Sequence, residues 1–222
     1  MPDKNSKPDQ YIKGFVEFYK LRFKVTPDAL IPRPETELLV DAVLDFAKSQ
    51  NQVTVLDIGT GTGNIAISLA KNAPNVKVIA TDVSEKALDV ARQNAKFHGV
   101  ENKITFIHSN LLSDIPTLRH SENLIIVTNL PYIPTERINY LDSSVKDFEP
   151  HVALDGGEDG FELYRKLFTQ INERGLKPKL ILGEIDYTHG ELAAFEAQKY
   201  FPNASVEVKK DLAHLQRILT VS

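Results

Sequence analysis

Cysteine and tryptophan are absent from the chain, and methionine occurs once in 222 residues. The first absence removes disulfides, thiol nucleophiles and cysteine-based metal sites together. The histidines, at 98, 108, 120, 151, 189 and 214, show no paired metal-ligand spacing and read as surface or core-edge imidazoles. No stretch combines a charged start, a long apolar run and a cleavage site, and none is apolar over a bilayer's thickness. The expected location is therefore the cytoplasm, with no membrane partner. Internal repeats and low-complexity tracts are also missing. A formal net charge of −4 lacks the basic excess that a large phosphate footprint demands, which argues against nucleic acid as the primary partner and leaves a smaller contact open. Only the N terminus runs the other way: Lys4, Lys7, Lys13, Lys20, Arg22 and Lys24 stand against Asp3, Asp9 and Glu17, and the segment reads as a solvated arm or short helix over residues 1–22.

What is present suits one large core, since 42% of the residues are hydrophobic and 25% charged. Apolar runs predict strands near 53–57, 76–82, 103–107, 124–129, 179–185, 204–208 and 215–221. Helical patterns fall at 35–48, 64–72, 84–98 with Ser84 as N-cap, 159–173 and 188–200. Strands followed by helices or long connections make an α/β fold, a mostly parallel sheet covered on both faces, as one domain over 23–222. The last two strands are joined by 209–214, too short for a crossover helix, so they should pair antiparallel.

Two motifs carry chemistry. In Val53-Thr-Val-Leu-Asp-Ile-Gly-Thr-Gly-Thr-Gly63, a strand enters a glycine turn and leaves as a helix; Gly59, Gly61 and Gly63, with Thr60 and Thr62 between, let the backbone pass close to a ligand that meets the free N–H groups of the new helix. The dinucleotide fingerprint needs a last glycine at 64, where this chain has Asn64, which disfavours NAD. Asp82 ends the next apolar run at the distance where a carboxylate accepts the hydroxyls of an adenosyl ribose. Asp57 is placed to orient the cationic amino group of a methionine moiety, directly or through water. The second motif is Asn129-Leu130-Pro131-Tyr132 after Leu124–Val127. The nitrogen of a carboxamide or of adenine N6 is a poor nucleophile, because its lone pair is delocalised. An Asn side-chain oxygen and the next backbone carbonyl can accept its two N–H bonds while a Tyr ring stacks on its plane, which turns the lone pair toward a methyl donor.

With these residues in view, the chain resembles the class I S-adenosylmethionine-dependent methyltransferases, and among them the protein-(glutamine-N5) methyltransferases of peptide chain release factors. Phe23-Lys-Val-Thr-Pro-Asp-Ala-Leu-Ile-Pro-Arg-Pro-Glu-Thr-Glu37 carries the most specific likeness; Phe148–Leu154 with Gly156, Gly157 and Gly160, Gly183-Glu-Ile-Asp, Gly190-Glu191, and Asp211 with Arg217 extend it over about residues 20–222. The resemblance implies a three-layer Rossmann-like fold with seven strands, the final one inserted antiparallel. It implies S-adenosyl-L-methionine as cofactor, a release factor as protein substrate, and an adenine contact near Asn110 and Leu111. It also implies a lip at Pro32–Glu37 over cofactor and acceptor.

Three departures from the family pattern stand out. Leu130 replaces the usual Pro, as is more common in rRNA adenine dimethyltransferases; the backbone carbonyl is retained, with a looser φ. Asn110 stands near the family's usual acid, and its amide oxygen can accept the same hydrogen bond. Bacterial members normally begin with a helical domain that grips the release factor, whereas about twenty residues precede the Phe23 segment here. An adenine-N6 methyltransferase acting on RNA or DNA, and a catalytic module needing a partner subunit, therefore remain as alternatives. Asp155-Gly-Gly-Glu-Asp-Gly160 opens like a calcium loop, but Gly157 and Lys166 sit where ligands belong, so it reads as a turn into a helix.

Overall fold

A computed structural model describes residues 7–116 and 123–222. Asp3, Lys4 and His120 lie outside them. The chain starts with α1 (Asp9–Lys13) and the hairpin β1 (Phe15–Phe18) and β2 (Leu21–Lys24), then runs α2 (Glu37–Ala47), β3 (Val53–Ile58), α3 (Asn64–Asn72), β4 (Val76–Asp82), α4 (Glu85–Phe97), β5 (Ile104–His108) and β6 (Leu124–Thr128). It continues through α5 (Ser143–Lys146), α6 (Glu162–Glu173), β7 (Leu180–Glu184), α7 (Gly190–Tyr200), β8 (Val206–Lys210) and β9 (Gln216–Val221). α4 starts where Ser84 predicts, its side chain accepting from the Ala87 N–H.

The hairpin is absent from the sequence reading, for a definite reason. Its two-residue turn, Tyr19 and Lys20, has φ of 48° and 60°, a backbone that normally calls for Asn-Gly. Tertiary contacts hold it instead. The Tyr19 N–H donates to Glu37 at 2.7 Å and its hydroxyl to Asp41 at 2.7 Å, while Phe18 and Phe23 are buried edge to face with centroids 6.0 Å apart.

Seven strands form one sheet in the order β5-β4-β3-β6-β7-β9-β8, with β9 antiparallel between β7 and β8 and the other neighbouring pairs parallel. This is the expected α/β architecture. Because successive strand residues face opposite sides, Val53, Val55, Ile125 and Val127 pack with α2 and α3, whereas Leu56, Ile58, Leu124 and Ile126 pack with α6 and α7. The chain winds outward from β3 to β5 and then returns to β6 on the other side of β3. The loops after β3 and β6 therefore diverge and open a crevice at the carboxyl ends of the strands.

Candidate active site

That crevice is a cavity of about 530 Å³, within the range of small-molecule sites. Of the residues singled out from sequence, Gly59, Thr60, Gly61, Thr62, Asp82, Asn110, Leu111, Asn129, Leu130 and Pro131 line it. Asp57, Gly63 and Tyr132 stand outside the lining; Asp57 and Gly63 bond Thr60, which is in it, and Tyr132 bonds Glu184, which is not. Leu30, Pro32, Arg33 and Thr36 form another part of the wall, and His151, Val152 and Ala153 another.

On the glycine side the loop is held by its own main chain. Gly59, Gly61 and Gly63 all have positive φ, at 73°, 55° and 80°. A side chain at Gly63 would also meet Ile67 Cδ1 at 2.9 Å and Ala91 Cβ at 3.1 Å, so glycine is needed there for both backbone and space. Asp82 fixes the turn's tip: Oδ2 accepts from Gly61 N–H at 2.9 Å and Oδ1 from Ser84 N–H at 2.8 Å. Each oxygen retains a lone pair, so a diol can still be accepted. Burial pushes this carboxyl up from its ordinary value, against the pull of the Ser84 and Gly61 N–H groups. Buried Asn94 ties the hairpin to the loop, its carboxamide donating to Lys24 O at 3.1 Å and Thr62 O at 2.9 Å.

Asp57 is fully buried one layer behind this loop. Its Oδ2 accepts from Thr60 Oγ1 at 2.6 Å and from Ala66 N–H at 3.2 Å, whereas Oδ1 has no partner among the described residues. Desolvation pushes its pKa up to about 7, opposed by those two donors. An orphaned carboxylate oxygen beside a ligand loop suits a cationic group, as an amino acid's ammonium would supply. The positive-φ turn and the size of the cavity suit an adenosyl nucleoside in the same place.

On the tetrapeptide side a side-chain network holds Asn129 and Tyr132. Asn129 Nδ2 donates to Thr36 Oγ1 at 3.2 Å, and Thr36 Oγ1 donates to Glu184 Oε2 at 2.6 Å. The Tyr132 hydroxyl donates to Glu184 Oε1 at 3.1 Å, and the Tyr164 hydroxyl donates to the backbone oxygen of Glu184. Glu184 and Tyr164 are buried, and Tyr164 fits because Gly183 leaves room for its ring: a Cβ there would lie 2.6 Å from Tyr164 Cε1. Desolvation raises the pKa values of Glu184 and Tyr132, while Thr36, Tyr132 and Arg217 act to hold Glu184 charged. Arg217 is itself paired with Asp211 at 3.1 Å.

The lip is anchored in the same manner. Glu149, buried, accepts from the Arg33 guanidinium and from Ile31 N–H at 3.1 Å, which ties the segment before α2 to the one after α5. Beyond the tetrapeptide, Ile133 and Thr135 bond the 154–157 segment through Leu154 O at 3.1 Å and Gly157 O at 2.9 Å. Residues 155–160 lead into α6 as a turn, as expected.

Sequence reasoning placed Thr36 in the lip without a role, named Glu149 and Glu184 only within family-like segments, and missed Tyr164. A signal existed for Glu184, since a lone carboxylate directly after the apolar run Leu180–Leu182 and Gly183, at the carboxyl end of a strand, seldom lacks a partner. Tyr164 carried none, as an aromatic on the inner face of an amphipathic helix ordinarily reads as core.

Comparison with known proteins agrees with the geometry. Residues 55–146 match a family model described as a methyltransferase domain. The release factor glutamine methyltransferase of Clostridium acetobutylicum is 38% identical over 219 residues, covering 97% of this chain and 75% of the relative. The one from Koribacter versatilis is 44% identical over 185 residues, covering 83% and 64%. Among solved structures, the human Mettl16 catalytic domain in complex with an RNA hairpin superposes with a TM-score of 0.71 at 15% identity, covering 92% of this chain and 76% of that one. A ribosomal protein L11 methylase from Lactobacillus delbrueckii gives 0.60 at 20% identity, covering 88% and 82%. These last two likenesses are of fold. No helix among the described residues is long and apolar enough to cross a membrane.

Proposed function

The chain belongs to the release factor glutamine methyltransferase family, and from that premise we propose that it transfers a methyl group from S-adenosyl-L-methionine to the side-chain amide nitrogen of a glutamine in a peptide chain release factor. One observation carries the reading: residues of the glycine loop, Asp82, and Asn129, Leu130 and Pro131 line one cavity, so donor and acceptor share a single crevice. A release factor as substrate puts this work in the cytoplasm. The adenine-N6 reading has less support, since the relatives that cover most of the chain carry the release factor name.

The cofactor supplies an electrophilic methyl group on a sulfonium, so the residues need only bind, orient and exclude water. Asp82 is the proposed acceptor for the ribose hydroxyls and Asp57 for the amino group. Gly59–Gly63 bring the main chain close, and Asn110 and Leu111 border the adenine. Asn129 Oδ1 and the Leu130 carbonyl accept the two amide hydrogens, which leaves the nitrogen's lone pair directed at the methyl carbon. Pro131 fixes the turn, and Tyr132, tethered through its hydroxyl to Glu184, lays its ring against the acceptor's plane. The nitrogen loses its proton to solvent after transfer, so no strong base is needed.

The test is mass spectrometry of a release factor incubated with the purified protein and methyl-labelled cofactor, beside an adenine-containing rRNA control. One methyl on the factor's glutamine is the expected result. Label in the RNA alone would overturn the reading.

A further inference from the structure

Asn129 is useful to a planar N–H acceptor only when its oxygen, not its NH₂, faces the cavity. An Asn side chain can turn either way, and the two orientations are nearly equal in shape, so the choice falls to hydrogen bonding. The neighbours make that choice in sequence. Both side-chain oxygens of Glu184 are taken as acceptors, Oε1 by Tyr132 and Oε2 by Thr36 at 2.6 Å. Thr36 has one hydroxyl hydrogen, and it is spent on Glu184. Its oxygen can then only accept, and what it accepts is Asn129 Nδ2 at 3.2 Å. That leaves Oδ1 as the atom of the carboxamide available to the cavity Asn129 lines.

We infer that Glu184, acting through Thr36, is a positioning residue that sets which way the Asn129 carboxamide faces, and so makes the site an acceptor of N–H groups. The inference rests on the proposed role of Asn129. If Glu184 is removed, the Thr36 hydroxyl is free to donate to Asn129 Oδ1; the carboxamide turns over and its NH₂ opposes the hydrogens of the substrate amide. Glu184 therefore acts on catalysis without reaching the reacting atoms. The Tyr164 hydroxyl, donating to the Glu184 backbone oxygen, holds the same residue by its main chain.

Steady-state kinetics on a small set of variants tests this. Glu184→Leu removes the acceptor and Thr36→Val removes the relay; each is expected to lower kcat roughly 10–100-fold, with the KM for cofactor changed less than about twofold. Two conservative variants should restore the polarity. Glu184→Gln can keep its oxygen on Thr36 and turn its NH₂ to the Tyr132 hydroxyl, and Thr36→Ser keeps the relay, so both should stay within about fivefold of the native kcat. In an Asn129→Ala background, Thr36→Val should lower kcat by less than about a further twofold, because its route to the reaction has gone, whereas Glu184→Leu also frees the Tyr132 hydroxyl. Thermal melting of every variant separates loss of fold from loss of orientation; should Glu184→Leu not fold, Thr36→Val and its combination with Asn129→Ala decide the matter. Native kcat in Thr36→Val, or a Thr36→Val loss that multiplies with Asn129→Ala, would overturn the inference alone. Native kcat in Asn129→Ala would overturn the reading of the acceptor site and this inference with it.

Discussion

The two walls of the cavity are assembled across very different sequence distances. On the glycine wall, Thr60 reaches Asp57 three residues away and Gly61 reaches Asp82 across 21, with backbone N–H groups doing most of the bonding. On the tetrapeptide wall, Asn129 meets Thr36 across 93 residues, Thr36 meets Glu184 across 148, and Tyr132 meets Glu184 across 52, all through side chains. A ligand cradle can be made by one βαβ segment, because a strand end, a turn and a helix start are already neighbours. An acceptor site must face the cradle from across the switch point. Its parts come from the lip, β6 and β7, brought together by the sheet order.

The comparison makes a sharp claim: one wall governs cofactor affinity and the other governs turnover. Its largest expected consequence is that Asn129→Ala lowers kcat about 10²–10³-fold, the scale for losing a positioned polar contact to the reacting group, while cofactor Kd by calorimetry stays near native. Asp82→Ala should do the reverse, weakening cofactor binding about 10–100-fold through the loss of charge-assisted hydrogen bonds, with kcat at saturating cofactor changed far less. If both variants lost affinity and turnover in equal measure, the division between the walls would fail.

Stability gives two smaller tests on the glycine wall. Gly63→Ala forces a side chain into a φ of 80° against Ile67 and Ala91, and should cost about 1–3 kcal/mol, a fall in Tm of several degrees by calorimetry. Asp57 gives a pH signature. Its folded pKa, about 7, lies above the unfolded value near 4, so its contribution to stability is full below the unfolded pKa and is lost as pH rises through about 7. The Tm of the cofactor-free protein should therefore carry a downward slope between about pH 4 and 7 that Asp57→Asn flattens. An unchanged slope in that variant would remove Asp57 as its source.

How much could be read beforehand follows the same division. Gly59–Gly63, Asp57 and Asp82 were legible because a local motif carries its geometry in its spacing, and the central strands were legible because continuous apolar runs mark burial on both faces. Asn129-Leu130-Pro131-Tyr132 was legible as an expected acceptor site with the Asn oxygen toward the substrate, yet the side chains that hold that carboxamide were not. The turn at Tyr19 and Lys20 defeated local rules outright, since Glu37, Asp41 and the buried Phe18 and Phe23 hold a backbone that neither turn residue prefers.

Sequence alone determined the α/β class, the antiparallel last strand and the glycine loop, each of which depends on periodicity or on residues within about twenty-five positions of one another. Tertiary structure decided which carboxylate stands behind the tetrapeptide, which threonine relays it and which guanidinium closes the lip. Those choices depend on the order in which strands lie in the sheet, and a buried polar atom takes as its partner whatever side chain that order places within reach.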